Sequence, residues 1–590
     1  MNARDFPRTG PVWAALLAGC LLTASCQSAF DRQDRQYFRA ARAGLAKDFQ
    51  KQAEMLTASQ GPAAGAEKVG KMPETFSPWW AKDVGAKLFA DSKPTSQHLD
   101  DLFVATLKNS SQIKVFSDLP LIRHTGIQEA RGEFDTHLYS EGHYGFINEP
   151  AGTLLDTGRT GYYRRWETRL EAGVRKKLLT GAEVKLSQEF LRINDNSIFR
   201  EPNPQAYAKL GLTIIQPMLR GGGIEVNRSF IRIAKVDTDI ARSEFLRQSE
   251  AHLLEVYRAY WNLYLARAGF LQKRRLVEQT AKLAGMMEKR KDLDAMDVQV
   301  QRAGSALARR KADLVRAEMA IRNAEDRIRA LVNAPDLGNG AVEIIPVEAP
   351  SLAELPVDMK AVAAVAIENR PEIDQAFLQL KAAAIRKDLA ENELLPQLDV
   401  LLETSIAGLD SAGCVMDGYD EQWRAHPGFL VGFRFDYPCP NNTAKAVLQR
   451  RKLEQRQLLN QLRTTVDTVL LEVKISAREV ATSYRDMIGR YQSLLAIQKD
   501  NDVLQKRWEA QAGAQGAAAY LEMLVDTQDR LATGEEDFAR SVVVYNVALL
   551  NLQRAQGTLL KYEDIQVTRV EPKKKGELPE LKLEKVKSKP

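Results

Sequence analysis

Apolar side chains recur along this chain in two rhythms. Leu521, Leu524, Gln528, Leu531, Glu535, Phe538, Val542, Tyr545, Leu549 and Leu552 step by three and four without a break. Val300, Ala303, Leu307, Leu314, Ala317, Ile321, Ala324, Ile328 and Leu331 do the same earlier in the chain. Leu459, Leu462, Val466, Val469 and Val473 open a third run, which Tyr484, Met487, Tyr491 and Leu494 continue after a one-residue drift. This is a heptad seam, the pattern of helices that pack along their whole length. The drift loosens the supercoil locally.

The second rhythm is alternation. Phe429, Val431, Phe433, Phe435 and Tyr437 alternate with Leu430, Gly432, Arg434 and Asp436, and Leu398, Val400, Leu402 and Ile406 alternate with Asp399, Glu403 and Ser405. Each run holds about 10 residues, the length of a tilted strand that crosses a bilayer. A strand of a soluble sandwich alternates in the same way, so one hairpin alone does not decide. Residues 134–141 and 207–215 are the matching strands of the first half. An additional hairpin, 169–178 and 182–190, lies between them, turned at Thr180-Gly181. The pattern leaves open whether it joins the wall those strands build or folds beneath it.

The order of elements occurs twice, which makes a doubled unit the first organising feature. Each copy runs short helix, helix, strands, very long helix, long helix. The helices predicted from 224 to about 287 and from 444 to about 508 hold roughly 65 residues each, on the order of 100 Å. No compact soluble domain needs such a length. The resulting boundaries are 95–335 and 357–563 for the two copies, joined by a linker at 336–356. Residues 27–94 form a poorly specified lead-in to which the sequence assigns no function, and 564–590 a charged tail expected to be disordered.

Composition then narrows the class. Of 590 residues, 83 are basic and 77 acidic, a net charge of +6 without a basic stripe for nucleic acid. Gly221–Gly223 lacks the lysine and Ser/Thr of a phosphate loop. His137 and His143 have no cysteine or carboxylate at ligand spacing, and no Ser-His-Asp, paired-acid or CxxC arrangement occurs. The expectation is a protein without catalysis, metal or cofactor. Residues 1–26 read as a secretory signal: Arg4 and Arg8 precede an apolar run, Val12 to Leu22, too short to cross a bilayer. That stretch also resembles a lipoprotein signal, with acylation at Cys26 or, as the alternative, Cys20; a plain signal without lipid is the competing reading. Neither Leu21 nor Gln27 is the aspartate that retains lipoproteins in the inner membrane, so the same resemblance implies outer-membrane delivery. Cys414 and Cys439 fall at opposite ends of a predicted strand, roughly 30 Å apart, too far for the ~7 Å that a disulfide allows.

Several stretches carry a family resemblance. Gln216-Pro217-Met218-Leu219-Arg220-Gly221-Gly222-Gly223 and Tyr437-Pro438-Cys439-Pro440-Asn441-Asn442 stand where strands turn into long helices, with proline ending the ladder and glycine or asparagine taking the awkward dihedrals. Together with Tyr260-Trp261-Asn262-Leu263, Glu393-Leu394-Leu395-Pro396-Gln397-Leu398, and Tyr545-Asn546 followed by Ala555-Gln556-Gly557-Thr558-Leu559-Leu560, they resemble the TolC family of outer-membrane efflux proteins over roughly 95–563.

The resemblance implies an α+β membrane protein. Three copies would give four strands each to a 12-stranded outer-membrane β-barrel, continued by a periplasmic α-helical coiled-coil barrel. Phe429, Val431, Phe433, Phe435 and Tyr437 would face lipid, and Pro217, Gly221, Gly222, Pro438 and Asn441 would form the barrel–helix junctions. The implied role is a passive exit duct serving a periplasmic adaptor protein and an inner-membrane RND or ABC transporter, with no nucleic acid involved. The helix tips, 289–297 and 512–522, would face the periplasm. Glu522 and Asp526 match gate carboxylates there, or else are solvated surface groups; Asp292, Asp294 and Asp297 form a second cluster, or cap a helix. The family's docking pattern before that aspartate is missing, although Gly513 and Gly516 survive at the other tip. A periplasmic coiled-coil scaffold lipoprotein is the rival; it accounts for the heptads but not for alternating strands at equal points of both copies.

Overall fold

The computed structural model describes residues 72–585 apart from 74–75, 91, 159, 290–296, 339–341, 412, 425–426, 512–516, 564 and 571–578. In the first half, β1 (Lys93–Gln97), α1 (Leu99–Asn109) and α2 (Ser111–Gly132) lead to four strands: β2 (Thr136–Pro150), β3 (Tyr162–Lys177), β4 (Glu183–Asp195) and β5 (Gln205–Pro217). Helices α3 (Ser229–Lys289) and α4 (Asp297–Val332) follow. The second half runs β6 (Val342–Pro346), α5 (Met359–Asn369), α6 (Pro371–Asn392), β7 (Gln397–Asp410), α7 (Val415–Gln422), β8 (Pro427–Asp436), α8 (Asn442–Gln511) and α9 (Ala517–Ala555). Strands β1 and β6 pair in parallel, Thr95 opposite Ile344, and tie the two halves together.

The long helices carry the seam the sequence predicts. Helix α8 has 70 residues and α3 has 61, so α8 is about 105 Å long at ~1.5 Å per residue. Leu462, Val466, Val469 and Val473 on α8 are buried together with Phe538, Val542 and Tyr545 on α9. Ala303, Ala317, Ile321 and Ile328 on α4 are buried as well. No helix among the described residues is long and apolar enough to cross a membrane.

Strands β2, β3, β4, β5, β7 and β8 form one antiparallel sheet in that order. The additional hairpin, whose place the sequence left open, pairs on both sides, with β2 and with β5, so the sheet holds six strands. One correction concerns the tail. Within 564–590, β9 (Ile565–Val570) and β10 (Glu580–Lys585) pair antiparallel, and burial of Ile565 and Leu583 in the main core outweighs the charge of the segment. The described part of the lead-in is likewise built in. Trp80 and Val84 are buried in the core, Phe76 packs on Tyr491 at 4.6 Å, and the Trp79 indole N–H donates to Glu535 Oε1 at 2.8 Å.

One buried carboxyl makes the helical body sensitive to pH. Burial, and then the neighbouring Glu372, raise the Glu250 carboxyl from 4.5 to about 7, against the pull of Arg370 and Arg554. Its contribution to stability is fully present below the unfolded value of 4.5 and is lost as pH rises through about 7. Glu250→Gln should flatten that decline and raise the melting temperature at pH 8 relative to the parent protein. Parallel melting curves between pH 5 and pH 8 check this.

Candidate functional site

Two places at opposite ends of the long helices bring together most of the described residues singled out in the sequence. At the sheet end, each strand-to-helix turn is held by glycine or asparagine in left-handed conformation: φ is 77° at Gly221, 100° at Gly223 and 57° at Asn441. A Cβ crowds the neighbouring carbonyl oxygen there; glycine has none, and asparagine offsets the cost with a local side-chain hydrogen bond. Asn392 Oδ1 accepts from the Gly221 N–H at 2.8 Å, and the Asn227 amide donates to the carbonyls of Gly221 and Gly223, each at 2.9 Å. Asn441 donates to the Leu394 carbonyl at 3.3 Å. A Cβ at Gly222 would approach the Pro217 carbonyl oxygen to 2.7 Å. Pro217, Gly221 and Gly222 are thus one packed corner, and Pro438 and Asn441 make the second. Cys414 and Cys439 are exposed free thiols.

At the far end the heptad seam is interrupted by charge. The run Ala303, Leu307, Leu314 skips one seam position, and Arg310 fills it with only 2% of its side chain exposed. Its Nη2 donates to the Val525 carbonyl at 2.8 Å and stands 2.9 Å from Asp529 Oδ1. Its Nε donates to Asp529 Oδ1 at 3.1 Å, and its Nη1 to the Thr280 hydroxyl. Burial pulls the guanidinium below its ordinary value while Asp529 opposes the shift. Arginine stays charged under any such pull. Arg310 therefore joins α3, α4 and α9 at one point. Arg309 also pairs with Asp529, and Arg302 with Glu522. Arg309, Arg490, Arg530, Asp313, Asp529 and Asp537 line an open groove of about 620 Å³ beside them.

The sequence-predicted carboxylates sit among these arginines. Glu522 pairs with Arg302 across helices, and Asp526 with Arg530 on its own helix. Both remain partly or largely exposed, at 38% and 63%. Asp297 opens α4, where an acidic group suits the helix dipole. Asp292 and Asp294 lie outside the described residues, as do Cys20, Cys26, Gly513 and Gly516. Sequence reading missed Arg310 and Asp529; the skipped seam position was the signal for the first. Phe429, Val431, Phe433, Phe435 and Tyr437 are all exposed, Phe429 at 84% and Phe433 at 78%.

Paired helices on the order of 100 Å long, ending in a two-faced antiparallel sheet at proline corners, define the fold of TolC-type outer-membrane channels. The solved Campylobacter jejuni CmeC outer membrane channel shares it: identity is 12%, coverage 85% of this chain and 91% of that one, TM-score 0.56. The outer membrane protein VceC from Vibrio cholerae is 17% identical over 78% of this chain and 96% of its own, TM-score 0.55. The open state of the Neisseria gonorrhoeae MtrE outer membrane channel gives 15%, 78%, 89% and 0.51. No family model and no curated protein matches the chain.

Proposed function

We propose that three copies of this chain form a passive outer-membrane channel. It would be the exit duct of a tripartite efflux or type I secretion system. The observation that carries this reading is the sheet. Its exposed apolar residues, Phe429, Val431, Phe433 and Phe435, occupy alternate positions of β8 at the end of a body too long for a compact soluble domain. Water disfavours such a face and a hydrocarbon layer accepts it. Among the described residues the outer edges of β2 and β8 are unpaired, and a ring of copies supplies a neighbour to each without leaving an open edge.

In this reading acylation at Cys26, or at Cys20, tethers the protein to the outer membrane. The α3–α4 and α8–α9 tips meet the adaptor, and an RND or ABC transporter in the inner membrane supplies the energy. In this reading Glu522, Asp526 and Asp297 act as gate carboxylates at the periplasmic aperture, a role that the family resemblance extends to Asp292 and Asp294, which lie outside the described residues. The duct needs no chemistry of its own; transport direction comes from the partner.

Purified, detergent-solubilised protein should run as a trimer by native mass spectrometry and give steady single-channel currents in planar bilayers. Folded protein that stays monomeric and silent would favour the scaffold role instead.

A further inference from the structure

The position of the additional hairpin has a consequence for the width of the pore. We infer that β3 and β4 belong to the membrane wall, so that three copies close an eighteen-stranded barrel able to pass hydrated polar cargo too broad for a twelve-stranded bore. This deepens the channel reading above and rests on it.

Four observations carry the inference. First, the hairpin is interior to the sheet. Strand β3 pairs with β2 from Thr136 opposite Lys176 to Pro150 opposite Tyr162, and β4 pairs with β5 from Glu183 opposite Ile215 to Ile193 opposite Gln205. Among the described residues β2 and β8 are the edges of this sheet.

Second, the register carries one apolar face across all six strands. Leu138, Val174, Leu186, Leu212, Thr404 and Phe429 stand in a single row, each opposite the next. Leu138 is 82% exposed, and Leu170 and Leu186 are each 45% exposed. Trp166 stacks on Phe146 at 4.2 Å towards the loop end of that face, where an aromatic girdle belongs in a membrane barrel. The opposite face of the hairpin is charged and paired: Lys185 with Glu171 at 2.7 Å, Arg169 with Glu189 at 2.7 Å, and Lys209 with Glu403 at 3.2 Å on the strands beside it. Such a face belongs to a water-filled lumen. A hairpin folded beneath the wall would have no reason to keep this parity.

Third, the turn between β3 and β4 is fastened at the level of the strand-to-helix corner. The Gly223 N–H donates to the Thr180 carbonyl at 3.1 Å, and the Thr180 hydroxyl donates to Gln216 Oε1 at 3.2 Å. A Cβ at Gly181 would meet Asn227 at 2.8 Å and Pro217 at 3.0 Å. The hairpin therefore spans the same height as β5.

Fourth, the strand count is even. Strand β8 runs from the loop end to the corner and β2 runs back, so β8 of one copy meets β2 of the next antiparallel, as ring closure requires. With strands ~4.8 Å apart and tilted by ~40°, eighteen give a backbone diameter of about 36 Å, against about 24 Å for twelve.

The test uses full-length, reconstituted trimer in which Cys414→Ser and Cys439→Ser, with Cys26→Ser added where acylation falls at Cys20, leave one introduced thiol for a spin label. Labels at Leu170→Cys and Leu186→Cys should be relaxed by oxygen and shielded from a water-soluble nickel chelate. Labels at Glu171→Cys and Lys185→Cys should show the reverse. Nickel access to positions 170 and 186 in a conducting trimer would overturn the eighteen-stranded wall and leave the channel reading intact, whereas protein that neither trimerises nor conducts would sink the channel reading itself. Exclusion of neutral polyethylene glycols added from the loop side gives the bore independently. The limiting polymer radius should exceed by about 6 Å that of a variant lacking residues 160–199, whose remaining four strands still alternate. Equal limiting radii for two conducting proteins would count against the proposal. If the shortened chain does not assemble, the spin-label pattern of the full-length protein decides.

Discussion

Replacing Arg267 by methionine should destabilise the helical body by about 3–5 kcal/mol, the scale at which a buried charge left without its partner is felt. Both partners of the Arg267–Glu343 pair are fully buried, 2.8 Å apart. Arg267 also donates from Nε to the Val84 carbonyl at 2.9 Å and from Nη2 to the Ala86 carbonyl. Glu343 accepts from the Leu88 N–H at 2.9 Å and the Ser92 hydroxyl at 2.5 Å. Burial pushes the Glu343 carboxyl up, but Ser92, Leu88 and Arg267 together hold it below the usual carboxylate range. Methionine fills much of the space and removes every one of the arginine's donors. Glu343 is then a buried anion without its cationic partner, and the lead-in at Val84–Ala86 loses its anchor to α3. Denaturant unfolding followed by helix signal measures the loss. Adding Glu343→Gln to Arg267→Met should recover part of it, because the orphaned charge disappears while the amide still accepts from Leu88. A single substitution costing under about 1 kcal/mol would show that the pair contributes no more than an exposed one.

Arg310→Met should raise the mean resting current per channel by about tenfold, within the channel reading, while leaving the unfolding midpoint less affected than Arg267→Met does. The guanidinium spans three helices at the far end, holding Thr280 on α3 and both Asp529 and the Val525 carbonyl on α9. Removing it releases α9 from the α3–α4 pair, and an order of magnitude in the open population corresponds to only about 1.4 kcal/mol. Asp529 is 37% exposed and keeps Arg309, so it is not stranded in the core. Arg310→Lys should rescue little, since an ammonium cannot reproduce the planar fork that reaches several acceptors at once. Planar-bilayer recordings of the three proteins at one ionic strength give the comparison. Identical resting currents would rule out Arg310 as a restraint on the aperture.

The two buried arginines also show where sequence reading stops. Arg310 is visible as a polar residue at a heptad position, next in kind to Gln528 and Glu535 on α9, which are buried as well. That it reaches Asp529, 219 positions away, follows from no local pattern, because the partner is set by how two helix pairs dock. Arg267 leaves even less trace. It lies on the same helix as the Tyr260-Trp261 stretch that carries a family resemblance, yet its partner Glu343 occupies a strand of five residues with every position buried. The aromatic cluster Phe76, Trp79 and Trp80 could have been read as a core segment, since three large rings within five residues seldom stay in water. It lay instead in a stretch with no periodicity to place it.

Local physics was enough for the rest of the outline. The three-and-four spacing determines a long helix and which of its faces is apolar, because helical geometry brings those positions together whatever lies across from them. Alternation determines a strand and its two faces for the same reason, and proline followed by glycine or asparagine marks the corners. The sheet's membership was decided only by the tertiary structure. A two-residue period in 162–195 is the same for a strand inside the wall and for one beside it, and pairing with β2 and β5 is a non-local hydrogen-bonding choice. The count of six strands, the partners of the buried charges and the docking of the lead-in all belong to that second category, since each depends on segments that meet only after the helices have packed.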